Sequence, residues 1–79
     1  MNNQNIISKA IRFHRKKSGL TQKQLAEIAG VGKSVIFDIE NGKETVQLDT
    51  LLKILGALNI SFRLESPIIH LMETENEKS

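Results

Sequence analysis

A mainly α fold, four helices followed by one C-terminal β-strand that pairs across a homodimer, is predicted by three features of this chain. Ala26, Gly30, Ile36 and Ile39 stand at offsets of four, six and three, which suits two short helices crossing at one tight corner. Apolar residues recur with helical period on both sides of that corner: Ile7, Ala10 and Ile11 with His14 on the same face, then a broad set from Leu48 to Leu58. Ile60-Ser61-Phe62-Arg63-Leu64-Glu65 alternates with period two instead.

The central stretch runs from Thr21 to Gly42, TQKQLAEIAGVGKSVIFDIENG. Thr21 and Gln24 have the spacing of a capping box, and Leu20 and Leu25 fall at the two positions of a hydrophobic staple, so a helix starts at Gln22. Leu25, Ala26, Ile28 and Ala29 form its apolar side, and Gly30 ends it because glycine accepts a positive φ. Ala26 is small enough to let a second helix approach, and Val31-Gly32 make the corner. That second helix spans Lys33 to Asn41, with Ile36 and Ile39 on its inner face and Asn41-Gly42 closing it.

Before the pair, Asn2 to Asn5 reads as polar and frayed, with Asn5 able to cap a helix that runs to about Lys17 and stops at Ser18-Gly19. His14 on its apolar face reads as core packing. After the pair, a loop from Lys43 to Gln47 precedes the helix Leu48 to Leu58, whose face at positions 48, 51, 52, 54, 55 and 58 is wide enough to cover the pair and offer a stripe to another chain. The strand at Ile60 to Glu65 has no ladder partner of its own, so its natural partner is the same strand of a second copy, antiparallel about a two-fold axis. Leu55, Leu58, Ile60, Phe62, Arg63 and Leu64 are the expected dimer interface. An internal hairpin with Ile68 to Leu71 competes, but Ser66-Pro67 is a poor hairpin turn. Residues 1–65 read as one domain that carries the helix pair and the dimerisation strand, and residues 66–79 as a flexible tail, apolar then acidic, with a segment able to dock on a partner.

Seventy-nine residues bound the chain to one domain with a thin core, since a chain of this size buries only about 60% of its unfolded surface. Cysteine is absent, which leaves no disulfide frame and no cysteine zinc site and suits a reducing cytoplasm. His14 and His70 are accompanied by no nucleophile or carboxylate constellation, so neither catalysis nor a cofactor is expected. No apolar run reaches the roughly 20 residues a membrane span needs. Net charge is only +2, yet Lys9, Arg12, Arg15, Lys16, Lys17 and Lys23 all precede the first acid, Glu27, while Glu73, Glu75 and Glu77 crowd the end. Without residues 73–79 the body carries +4, and its basic end leads into the helix pair as a phosphate backbone would require.

GLTQKQLAEIAGVGKSVIFDIENGK, Gly19 to Lys43, with IRFHR before it, resembles the Xre/Cro family of helix-turn-helix proteins, and the likeness extends over most of residues 6–65. It implies a lambda repressor-like helix-turn-helix bundle that binds DNA, and in the dimer that the strand predicts, two such helix pairs call for an inverted-repeat operator. It implies an ion pair between Arg15 and Glu40, and it matches Gln22 to a phosphate-contacting glutamine. On that reading Lys33, Ser34, Phe37 and Asp38 face base edges, and Gln22, Lys23, Gly32, Asn41 and Lys43 face phosphates. His14 departs from the family, which usually has an aliphatic residue there. The strand after the last helix departs as well, and is similar to the HipB-like branch, antitoxins that repress their own operon and hold HipA-type kinase toxins. The expected function is therefore a repressor that is also an antitoxin; a stand-alone or phage-type repressor and a protein-binding adaptor are the alternatives.

Overall fold

The computed structural model describes the backbone of residues 5–78 and the side chains of residues 5–75. The expectation of fraying over residues 2–4 falls outside the described residues. Five helices follow one another: α1 (Ile6–Lys17), α2 (Gln22–Ala29), α3 (Lys33–Glu40), α4 (Leu48–Ala57) and α5 (Ile69–Lys78).

Local chemistry starts α1 and both starts and ends α2. Asn5 caps α1, its Oδ1 accepting the Ser8 N–H at 2.8 Å. Thr21 and Gln24 form the reciprocal capping box of α2, at 3.0 Å and 2.8 Å. Gly30 closes α2 in the left-handed region at φ 76°, donating to the Ala26 carbonyl at 2.9 Å. A Cβ built on Gly30 would meet nothing within 4 Å, so glycine is required there by its backbone angle and not by crowding. Asn59, at φ 59°, follows the end of α4.

Ile11, Leu25, Ala26, Ala29, Ile36, Ile39, Leu51, Ile54, Leu55 and Leu58 form one core, with Leu20, Val31, Val35, Val46 and Ile60 packed around it. Ala26, Ile36 and Ile39 lie inside the α2–α3 crossing as the spacing predicts. Ile28 is exposed, so the buried face of α2 is Leu25, Ala26 and Ala29. On α1 the buried residues are Ser8, Ile11 and Arg15, which turns the inner face by one residue and leaves His14 outside, its Nδ1 hydrogen-bonded to the Ala10 carbonyl at 2.7 Å. The reading of His14 as core is thus corrected: two bonded polar residues occupy the places the apolar period assigned to it and its neighbours.

The C-terminal third departs further. Leu55 and Leu58, expected at a dimer interface, are 5% and 7% exposed and pack into the core of their own chain, and Leu55 also lines a surface groove with Ile60, Phe62 and Arg63. The stripe that α4 leaves open is Leu48 and Leu52. Residues 60–66 form neither helix nor ladder among the described residues, as an alternating segment must when no second strand is at hand. The internal hairpin does not form, because Ile69 to Leu71 are helical. The tail supplies the fifth helix, begun behind Pro67 and carried by Leu, Met and Glu, all good helix formers. Apart from half-buried Ile69, every residue from Ser61 to Glu75 is exposed, and none of the described side chains of α5 belongs to the core.

A buried ion pair ties three helices together. Arg15 Nε donates to Glu40 Oε2 at 2.6 Å and Nη2 to Oε1 at 2.9 Å, a two-bond fork, while Nη1 donates to the Leu20 carbonyl at 2.9 Å. Gln22 Nε2 reaches Glu40 Oε1 at 3.3 Å. Arg15 is 9% exposed and Glu40 3%, so removing one partner strands a charge in the core, at a cost of about 3–5 kcal/mol. Glu40→Leu should lose that much in urea unfolding, and adding Arg15→Met should restore most of it; a double variant as unstable as the two single losses summed would show that the pair does not act as a unit.

Candidate nucleic-acid interface

The inner face of α3 is filled by Ile36, Ile39 and Glu40, which leaves the opposite face to solvent. Lys33, Ser34, Phe37 and Asn41 lie on that open face, and Phe37 is 54% exposed, an aromatic ring with no core to enter. Lys33 and Ser34 stand in the first turn, behind Gly32, which supplies no side-chain cap. The N–H groups of that turn therefore add partial positive charge beside the Lys33 ammonium.

Asp38 sits at the edge of this face. Its carboxylate is 3.9 Å from Lys43 Nζ, and its carbonyl accepts the Lys43 N–H at 3.0 Å, so the loop after α3 brings a cation to the one acid near the exposed face. Both side chains are about half exposed, and a pair this open contributes little stability. Asn41 donates its amide to the Phe37 carbonyl at 2.7 Å, closing the last turn of α3.

The residues expected at phosphates divide into two groups. Lys23, Gly32 and Lys43 are exposed and make no bond that diverts them, apart from the open contact of Lys43 with Asp38. Gln22 is half-buried and turns its amide to Glu40, so in the free chain the glutamine supports the ion pair at the same time as it heads α2. Lys9, Arg12, Lys16 and Lys17 are exposed along α1, with Lys17 Nζ 5.6 Å from the centre of the Phe13 ring.

Arg15 is not part of this open surface. Its hydrogen bond to Glu40 holds the guanidinium pKa above its ordinary value, and the attraction of the carboxylate adds to that while burial acts in the opposite sense. Residue spacing alone did not reveal two polar groups that the structure uses: the Leu20 carbonyl, which completes the Arg15 fork, and Ser8, whose hydroxyl donates to the Ile39 carbonyl at 2.6 Å. A serine on a helix face beside Ile11 and Arg15 was the available signal. Of the expected dimer residues, Leu55, Ile60, Phe62 and Arg63 gather beside Ile6, Ile7 and Ala10 around a groove of about 230 Å³, and Leu64 is exposed. Among the described residues no cluster of three or more His, Cys, Asp or Glu could hold a metal ion, and no helix is long and apolar enough to cross a membrane.

A profile of the helix-turn-helix family matches residues 11–64. An uncharacterised HTH-type transcriptional regulator, y4mF of Sinorhizobium fredii, is 39% identical over 61 residues, covering 77% of this chain and 80% of that protein. Control protein C.SmaI of Serratia marcescens is 38% identical over 56 residues, 71% of this chain and 67% of its own length. Antitoxin HipB of Escherichia coli K12 is 33% identical over 58 residues, 73% and 66% of the two chains. A chain of a solved HipA-HipB-O2-O3 complex superposes with a TM-score of 0.68 at 32% identity, covering 76% of this chain and 84% of that one. With the family profile spanning both the α2–α3 corner and the α4 that covers it, this chain belongs to the Xre/lambda repressor-like helix-turn-helix family of transcriptional regulators.

Proposed function

We propose that this chain is a sequence-specific DNA-binding repressor, the HipB-like antitoxin of a type II toxin-antitoxin operon that it autoregulates, and that it binds a HipA-type kinase toxin in the cytoplasm. The observation that carries the DNA part is the open face of α3, where Lys33, Ser34 and Phe37 stand exposed opposite a sealed Ile36, Ile39 and Glu40. The likeness to HipB, in sequence and in the solved complex, supports the antitoxin part. A stand-alone repressor without a toxin is the second reading, favoured by the control protein, which is 38% identical against 33% for the antitoxin. Co-purification from the native host with the product of a neighbouring kinase-like gene separates the two readings.

On this reading α3 enters the major groove with its first turn against base edges while α2 crosses the backbone. The Lys33 ammonium donates to guanine O6 and N7, the Ser34 hydroxyl bonds a neighbouring base, and Phe37 lies on a thymine methyl. Asp38 accepts from a cytosine amino group at the edge of the face. Lys23, Gly32, Asn41 and Lys43 hold phosphates, and Gln22 joins them by exchanging its bond to Glu40 for one to the backbone. Two copies related by a two-fold axis place their α3 helices roughly 34–36 Å apart, which calls for an inverted-repeat operator. The copies join through a ribbon of Ile60 to Glu65 paired with itself, with Phe62, Arg63 and Leu64 along it and the apolar groove at Ile6 and Ile7 beside it.

Lys33→Ala should relax preference at one operator position, a discrimination of ~1–3 kcal/mol in competition binding; an equal loss on every sequence would refute base contact. Phe62→Asp should give monomers in sedimentation, and an unchanged dimer would remove the ribbon.

A further inference from the structure

We propose that Ser8 is a positioning residue for DNA reading: its hydroxyl, bonded to the Ile39 carbonyl, fixes the rotation of α3 together with the Arg15–Glu40 pair and so sets the aim of Lys33, Ser34 and Phe37. The inference rests on the reading of α3 as the DNA-contacting helix.

Ser8 is 1% exposed in a face where packing alone would favour alanine, the better helix former. A buried hydroxyl is tolerated only when bonded, and this one donates to Ile39 O at 2.6 Å across the α1–α3 contact. The acceptor belongs to the last turn of α3, whose carbonyls lack partners within the helix; Ile39 O takes the Gly42 N–H at 3.0 Å and the Ser8 hydroxyl as well. The placement of Ser8 is itself enforced, because its N–H is held by the Asn5 cap at 2.8 Å.

Geometry gives the bond its consequence. Ser8 and Arg15 are seven residues apart on α1, two turns or about 10 Å, and they grip neighbouring residues of α3, Ile39 and Glu40. Ile36 and Ile39 hold α3 by contacts that have no direction and allow a short helix to roll in its socket. One directional tie would leave a pivot. Two ties at separated points of one rigid helix remove it, so the open face of α3 points one way only. The net stability of a single hydrogen bond is small, which makes orientation the larger effect of keeping a hydroxyl here.

The test compares Ser8→Ala with Ile54→Val, a trimming of the α4 core that spares both ties, at a temperature where melting curves show each variant fully folded. Two duplexes are used, one selected from a random pool by the wild-type chain and one of mixed sequence. Ser8→Ala should lower the ratio of specific to non-specific affinity by about fivefold, the scale of one hydrogen bond, with Ile54→Val leaving it unchanged. An unchanged ratio in Ser8→Ala, or an equal fall in both variants, would overturn the role. A second readout needs no DNA: amide exchange across Ile36 to Glu40 should quicken in Ser8→Ala and not in Ile54→Val. If the wild-type chain shows no preference between duplexes, the DNA reading has failed and exchange alone judges the clamp, which unaltered protection would refute.

Discussion

The Arg15–Glu40 pair is the constraint from which the rest of the molecule takes its shape. One guanidinium, through three bonds, meets the last turn of α3 and the turn that feeds α2, and Gln22 at the head of α2 adds a third bond to the Glu40 carboxylate. Three helices of eight to twelve residues, each too short to be stable alone, are thereby referred to one point. Buried ion pairs add little net stability, because desolvation offsets most of the attraction. What such a pair does supply is direction, and a core of interchangeable aliphatic side chains lacks it.

Directional ties matter here because the face proposed to meet DNA belongs to a single short helix. Ile36, Ile39 and Glu40 are turned inward, and so Lys33, Ser34 and Phe37 are turned outward with no loop to adjust them. The electrostatics agree with that arrangement. The first turn of α3 contains no acid, Asp38 further along the helix is accompanied by Lys43, and the exposed cations of α1 and α2 belong to the same body. A basic body with one rigid open helix face is well suited to a polyanion whose grooves admit a helix.

Much of this was legible in the residues. The capping box at Thr21 and Gln24, the positive φ at Gly30 and the sealed isoleucines of α3 follow from local chemistry that acts over four residues or fewer. Period counting failed where polar groups were bonded inside: Ser8 and Arg15 displaced the apolar stripe of α1, and His14 went to solvent. Leu55 and Leu58 serve the core of their own chain, because one apolar face must cover its own helices first, and spacing does not say where the core ends. The helix at Ile69–Lys78 gave almost no signal, with barely one apolar turn before an acidic run. The alternating segment at Ile60 to Glu65 forms no ladder among the described residues, since a ladder needs a second strand and none is at hand.

The central claim is that the face of α3 opposite Ile36 and Ile39 is the one that meets DNA. Amide and side-chain chemical shifts of the isotope-labelled chain, followed as a selected duplex is added, test it most directly. The account predicts the largest changes at Lys33, Ser34 and Phe37, with smaller ones at Gln22, Lys23 and Lys43. Changes concentrated on α5 or on the outer side of α4, with α3 unmoved, would contradict it.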